Sequence, residues 1–546
     1  MNATEWNQLT HGPAAQAYKA NGAWMNKTTT DFAQLRALQM PDMVAVVEGD
    51  RRLSYAFLLA DARRLAAGLR DLGLQKGDVI SFQLPNWWES MVINLAASLG
   101  GWAVNPIVPI YRDAEVGFIL SDCQAKVIFV PQQFRSIDYL DMLRRIADEG
   151  GARPLVMTVR GTEAAAGANT YENLGMGSAP WVGNEAAPDD LKLVLYTSGT
   201  TGRPKGVLHS HNTLMAELQA VTDFWHTTDS DVVIMPSPVT HITGYTYALE
   251  YVFFRGIKVV LMERWDAQQA IALIQAEEAT ITVGATPFLA ELTAAVESSG
   301  ARLPSFRLFA SGGAPVPPDL VLRASRAMPN CLVCRVYGSS ESPTVTLGIN
   351  NAADQERGAV TDGKVFNNDV RIVDPETGET LGVGKIGEIV VRGPEVMLAY
   401  SRAADTQDAF DAQGFFRTGD LGRLSEDGFI TVTGRKKDLI IRGGENLSPK
   451  EVEDLLHAHP DVLEAAVVAM PHARLGETPC AYVVLKPGKD MALAQMAEYL
   501  DTKHLARQKF PEQLFVVDSL PKTASGKILK HVLRTRAAAV STGAGA

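Results

Sequence analysis

Short apolar runs alternate along this chain with longer stretches in which apolar side chains recur every three or four residues. Residues 56–73 show the second pattern and predict a helix. Residues 78–84, closed by Pro85-Asn86, show the first and predict a strand, and a further helix leads to a strand at 126–130. The same alternation returns at 231–235, 258–262, 280–283, 307–310 and 332–337, each a short apolar run that reads as a buried strand. Such alternation predicts parallel sheets covered by helices on both faces.

The texture changes twice. Residues 370–374 and 388–392 flank a glycine-rich turn and predict antiparallel strands. After Gly434, residues 435–546 carry their own strands (465–469, 481–485, 514–517) and helices (449–457, 492–506), enough for a separate α+β domain. A chain of 546 residues is too long for one core, and two to four domains are expected.

Composition narrows the classes. Hydrophobic residues make up 46% and charged residues 21%, as in ordinary globular proteins. A net charge of −11 speaks against general nucleic-acid binding, which needs a basic face. Four cysteines are too few for a disulfide framework, so a reducing compartment is expected. Cys331 and Cys334 form one C-x-x-C, read as two small apolar residues of a buried strand, not as a redox or metal pair. Residues 1–6 show no basic-then-apolar leader, and the last residues are no peroxisomal address, so cytoplasm is the expectation. The most apolar stretch, 91–109, is broken by Asn94, Ser98, Asn105 and Pro106, and reads as a core helix entering a strand rather than a membrane span.

The run from Tyr196 to Val207 carries the most chemistry. A strand-like segment, 191–195, leads into Thr197-Ser198-Gly199-Thr200-Thr201-Gly202, and Lys205 follows. Glycines let backbone N–H groups converge on an anion, and the hydroxyls and the lysine add donors and charge. A nucleotide phosphate is the expected ligand. The spacing is not that of a Walker A loop, because Arg203-Pro204 separates Gly202 from Lys205 and a glycine follows the lysine. A kinase or GTPase reading fails there.

This run resembles the phosphate-binding signature of the AMP-forming (adenylating) acyl-CoA synthetases, a superfamily that includes luciferases and the adenylation domains of peptide synthetases. Further motifs occur in that family's order from about residue 45 to residue 530. The resemblance implies an α/β fold: a large N-terminal domain of layered sheets with a small β-barrel-like part (1–434), and a small α+β C-terminal domain (435–546) that rotates about a hinge at Lys437. It implies ATP, Mg2+ and coenzyme A as cofactors and co-substrates.

The resemblance also assigns roles. Tyr337-Gly338-Ser339-Ser340-Glu341 is similar to the family's Tyr-Gly-x-Thr-Glu, which makes Glu341 the magnesium-linked carboxylate and Ser340 the α-phosphate hydroxyl. Gly312, Gly313 and Ala314 would take the adenine. Asp420, in Arg417-Thr418-Gly419-Asp420, and Arg435 would hold the ribose. Lys527 is the implied adenylation lysine, which offsets charge developing on the α-phosphate. Gly443 and Gly444 would line the pantetheine channel, and His241 would gate the acid carboxylate. By position, His241, Gly244, Tyr245, Phe288, Gly313, Pro343 and Thr344 would wall the acid pocket. His209 and His211 read as the start of the helix after the phosphate loop.

The expected reaction is acid–CoA ligation through an acyl-adenylate, with a neutral-tailed alicyclic, aromatic or medium-chain acid, and cyclohexanecarboxylate the specific choice. A carrier protein as acyl acceptor is the alternative. A regulator that binds nucleotide without catalysis is disfavoured by the joint presence of Lys205, Glu341, Asp420 and Lys527. Expected partners are the acid, ATP and CoA, with a homodimer allowed for.

Overall fold

The computed structural model describes residue 6 and residues 14–161, 170–197, 203–522 and 528–541. Two seven-stranded sheets lie in the N-terminal part. The first has the order Leu332–Arg335, Leu308–Ser311, Ile281–Gly284, Val232–Met235, Lys258–Leu261, Val44–Glu48 and Arg51–Ser54. It is parallel except for the last pair, a hairpin. The second runs Ala399–Tyr400, Lys205–Ser210, Leu191–Thr197, Ala103–Pro106, Val79–Phe82, Val127–Pro131 and Leu155–Val159. Its inner strands are parallel, and Lys205–Ser210 is antiparallel to both of its neighbours.

The alternation in the sequence has a direct cause. Val79–Phe82, Ala103–Pro106 and Ile281–Gly284 are buried at every position, as strands covered on both faces must be. One apolar cluster joins Ile80, Phe82 and Val104 of the second sheet to Val233, Met235 and Val259 of the first. Leu58, Leu65, Met91 and Leu95, from helices Tyr55–Asp71 and Trp88–Gly100, belong to the same cluster. Helix Trp88–Gly100 is buried along its whole length and stops at Gly101, whose φ of +66° is the left-handed conformation of a helix C-cap. This is the stretch that the sequence read as core, and among the described residues no helix is long and apolar enough to cross a membrane.

A four-stranded antiparallel sheet follows, in the order Asp369–Val373, Gly387–Arg392, Phe416–Leu424 and Ile430–Arg435. A short 3-10 turn, Lys436–Asp438, leads to the last sheet. There Val462–His472 and Gly476–Leu485 form a long hairpin, extended by Ile440–Arg442, Glu445–Leu447 and Gln513–Val516. Helices Pro449–His457, Leu493–Thr502 and Lys530–Ser541 cover it. Its two apolar clusters draw only on residues after Leu439: Val452, Leu456, Val467 and Met496 in one, Val468, Tyr482 and Leu533 in the other.

One expectation is corrected. His209 does not begin the helix. Residues Lys205–Ser210 form a strand paired with Leu191–Thr197, with Lys205 opposite Thr197 and His209 opposite Leu193. The helix starts at His211, where the Ser210 hydroxyl accepts from the Thr213 N–H at 3.3 Å. The apolar residues of the strand, Val207 and Leu208, are few, and the polar ones around them hid it.

Candidate active site

The phosphate-type loop joins two antiparallel strands. Ser198, Gly199, Thr200, Thr201 and Gly202 lie outside the described residues, as does Lys527. Thr197 and Lys205 face each other at the strand ends. Lys205 Nζ lies 3.0 Å from Asp405 Oδ1 and 4.9 Å from the centroid of the Tyr400 ring. Tyr400 comes from the edge strand that pairs with Lys205–Ser210, where it sits opposite Val207. Its hydroxyl donates to Glu341 Oε1 at 2.8 Å. The phenol is kept protonated by burial and by the charge of Glu341, so it serves as a fixed donor. Lys205 and Glu341, far apart in sequence, are thus bridged by one aromatic ring.

Glu341 sits in a tight turn. The Ser339 N–H donates to Ser342 O at 2.9 Å, and the Glu341 N–H donates to Ser339 Oγ at 3.2 Å. Met397 N–H donates to Glu341 O at 2.8 Å. From the other side His209 Nε2 lies 2.7 Å from Ser340 O, and His209 Nδ1 lies 3.1 Å from Thr213 Oγ1. Burial pushes the His209 ring down to a pKa of about 4, so it is neutral at ordinary pH. A carbonyl can only accept, so Nε2 carries the proton, and the one Thr213 hydroxyl proton lies within reach of both Nδ1 at 3.1 Å and Ser210 O at 3.0 Å.

The ribose candidates meet by strand pairing. Asp420 and Arg435 are opposite one another in adjacent strands, with Arg435 Nε 3.0 Å from Asp420 Oδ1. Tyr337 donates its hydroxyl to Asp420 Oδ2 at 2.8 Å. Burial and the Asp420 charge hold that phenol protonated. Tyr337 and Glu341 follow the strand Leu332–Arg335, while Gly312 and Gly313 follow its neighbour Leu308–Ser311. The two glycines differ. A Cβ on Gly312 would meet Val336 O at 2.6 Å, so the protein's own backbone requires glycine there. Gly313 has φ +79° and open space where a Cβ would stand, which leaves a bare shelf beside Ala314.

The acid-pocket candidates come from four separate segments of the chain. His241 is the half-buried residue before the short helix Ile242–Gly244. Gly244 is packed against Pro238, whose carbonyl would lie 2.1 Å from an added Cβ. Tyr245 is fully buried. Its hydroxyl donates toward Asn94 Oδ1 at 2.7 Å and lies 3.1 Å from Glu250 Oε1. Asn94 Nδ2 also donates to Glu250 Oε1, and Lys192 Nζ lies 3.6 Å from Glu250 and 2.9 Å from Asn94 O. Phe288 packs on Trp265 with ring centroids 4.8 Å apart. Pro343 is half-buried, and Thr344 is tied to the buried Glu395 through its N–H at 2.9 Å and its hydroxyl at 2.6 Å.

Beyond Arg435, Lys437 is exposed in the turn Lys436–Asp438. Gly443 (φ +60°) and Gly444 (φ +90°) form the two-residue turn of the hairpin in which Arg442 faces Glu445. Positive φ at both turn positions explains glycine there without any ligand. Cys331 and Cys334 are both buried, and burial raises both thiols. Tyr400 and the Lys192–Glu250 pair are residues that sequence reading passed over, and His209 was read there only as part of a helix start. Only Lys192, a charge inside an apolar strand, left a local signal.

The family model for AMP-binding enzymes matches residues 33–401, and the model of the AMP-binding enzyme C-terminal domain matches residues 451–527. The chain is an AMP-binding enzyme. This AMP-binding enzyme is 36% identical over 528 residues to the medium-chain fatty-acid–CoA ligase of Escherichia coli (strain K12), covering 95% of this chain and 92% of that one. It is 32% identical over 541 residues to the vibriobactin-specific 2,3-dihydroxybenzoate-AMP ligase of Vibrio cholerae serotype O1, covering 98% of each. Its fold is similar to that of ATP-bound MatB from Rhodopseudomonas palustris, with a TM-score of 0.83 and 31% identity over 93% of this chain and 99% of that one. The AMP-binding enzyme is accordingly an ATP-using acid–CoA or acid–AMP ligase with the large and small domains of adenylate-forming enzymes.

Proposed function

We propose that the enzyme joins a neutral-tailed medium-chain, alicyclic or aromatic acid to coenzyme A in two steps, with cyclohexanecarboxylate the first acid to try. In the first step a carboxylate oxygen of the acid attacks the α-phosphorus of ATP, and pyrophosphate leaves. In the second the CoA thiol attacks the acyl carbonyl, and AMP leaves. The observation that carries the reading is the linked set Lys205, Tyr400 and Glu341, with Ser340 next to Glu341 in its turn, together with the second linked set Tyr337, Asp420 and Arg435.

Each group has a task in that reading. Asp420 accepts from the ribose hydroxyls, held in place by Tyr337 and Arg435. Gly313 and Ala314 give the adenine a flat approach. Lys205 leaves Asp405 for the outer phosphates. Glu341 fits magnesium, because that ion is commonly held by one or two carboxylates with the remaining positions left to phosphates and water. Among the described residues no larger group of metal-ligating side chains stands nearby. Magnesium, when bound, would neutralise phosphate charge; Tyr400 would hold one Glu341 oxygen and so orient the other. Lys527 would serve the first step only, reaching the α-phosphate by rotation of the small domain about Lys437, with residues 435–546 moving together. Gly443-Gly444 would then line the thiol's path.

A neutral-tailed acid is supported by the pocket candidates, none of which is lysine, arginine or aspartate. The similarity to an acid–AMP ligase keeps a carrier protein as the alternative acceptor. The test is pyrophosphate release with Mg-ATP and a panel of acids (cyclohexanecarboxylate, benzoate, butyrate to decanoate), with and without CoA. CoA-dependent release with acyl-CoA and AMP as products supports the ligase. Turnover only with acetate or only with long chains defeats the acid assignment, and release indifferent to CoA favours a carrier.

A further inference from the structure

We propose that His209 is a positioning residue for the first half-reaction: by holding the Ser340–Glu341 peptide it aims the Ser340 hydroxyl and the Glu341 carboxylate at the nucleotide. The inference rests on the adenylation reading above. A peptide group is planar, so fixing its oxygen fixes the plane from which both flanking side chains depart. His209 Nε2 holds the Ser340 oxygen at 2.7 Å, and Ser339 Oγ holds the Glu341 nitrogen of the same peptide at 3.2 Å. The second contact is internal to the turn. The first ties the turn to another element of the fold.

That element is rigid. His209 is fully buried, sits in a strand paired on both edges, and has its other ring nitrogen against Thr213 on the following helix. The strand begins at Lys205, so His209 and the phosphate lysine share one rod of four residue steps, about 13 Å at the usual strand rise. The outer-phosphate contact and the α-phosphate contact would thereby be held in fixed register. Positioning at this precision is worth large rate factors, because donors must be placed where charge develops. A plain core histidine would need only to be satisfied. This one spends its N–H on the backbone between the two groups assigned to nucleotide and metal.

Two variants separate the readings. His209→Gln keeps an N–H donor, and His209→Leu removes it at similar size. Acid-dependent pyrophosphate release, thioester formation from supplied acyl-adenylate, and calorimetric ATP binding with magnesium or with EDTA would be measured for each. For His209→Leu we expect kcat for pyrophosphate release to fall about 30-fold or more, with the KM for ATP within about threefold and the thioester step within about twofold. The magnesium-dependent tightening of ATP binding should vanish in His209→Leu and return in His209→Gln. Unchanged kcat and unchanged magnesium dependence in His209→Leu, or equal loss in both half-reactions, overturns the proposal. If His209→Leu does not fold, Thr213→Val loosens the same ring, and a kcat drop of about threefold or more is expected; no drop overturns the proposal. Wild-type protein without acid-dependent release defeats the adenylation reading, and the ATP-binding arm still decides His209.

Discussion

Asp420 and Arg435 face each other across adjacent antiparallel strands, with Arg435 Nε 3.0 Å from Asp420 Oδ1. Tyr337 takes the other carboxylate oxygen at 2.8 Å. Both oxygens are thus held in place, and in the proposed role each would keep a lone pair for a ribose hydroxyl. Hydrogen bonds to a charged group contribute about 1.5–3 kcal/mol each. Asp420→Ala should therefore weaken ATP binding by about 100-fold or more. Tyr337→Phe leaves the carboxylate in place but less well aimed, and should cost about threefold to tenfold. Calorimetric titration with ATP checks both; equal affinities for wild type and Asp420→Ala would remove Asp420 from the ribose site.

Sequence alone carried the layered sheets because their cause is local. Strands such as Ile281–Gly284 and Leu308–Ser311 are buried on both faces and leave unbroken apolar runs. It also carried the motif segments, since each is continuous. Contacts made by pairing across long separations were not legible. Tyr400 reaches Glu341 only because Ala399–Tyr400 adds to the edge of Lys205–Ser210. His209 reaches Ser340 only because a strand stands where the polar run around it suggested a helix start. The Tyr245 hydroxyl turns toward Asn94 and Glu250, a contact that a list of neighbours in sequence does not show.

Lys527 should matter to one half-reaction. Lys527→Ala is expected to lower acyl-adenylate formation about 100-fold or more, the scale for losing one charge-stabilising donor. Thioester formation from supplied acyl-AMP should be spared. Equal loss in both steps would show the role to be wrong.

If Lys205 takes the outer phosphates as proposed, its ion pair with Asp405 would compete with the nucleotide. Both side chains are partly exposed, so the pair is screened and contributes on the order of 0.2–1 kcal/mol. Asp405→Asn should then tighten ATP binding up to about fivefold at low salt, an advantage that fades as ionic strength rises. Lys205→Ala should weaken it. Weaker binding in Asp405→Asn at every salt concentration would mean that Asp405 instead orients the lysine.

The Lys192–Glu250 pair makes the sharpest claim about stability. Both side chains are fully buried. Burial lowers the Lys192 pKa to about 8, with Glu250 opposing the shift. The folded-state pKa is thus below the unfolded value of about 10.4. Between these values the unfolded chain binds more protons, so this contribution to stability rises as pH climbs from about 8 to about 10.4 and is at its lowest below pH 8. The span corresponds to roughly 3 kcal/mol at most. Removing one partner strands the other, and Lys192→Met should cost about 3–5 kcal/mol at pH 7. The double variant Lys192→Met/Glu250→Gln keeps an amide for Asn94, Tyr245 and Thr29 and leaves no buried charge, so it should recover most of that loss. Its unfolding free energy relative to wild type should also fall as pH rises through the same window, because only the wild type regains stability there. Denaturant unfolding of the three proteins at pH 7, 8.5 and 9.5 measures this. A constant difference across pH would show that Lys192 titrates as an ordinary lysine.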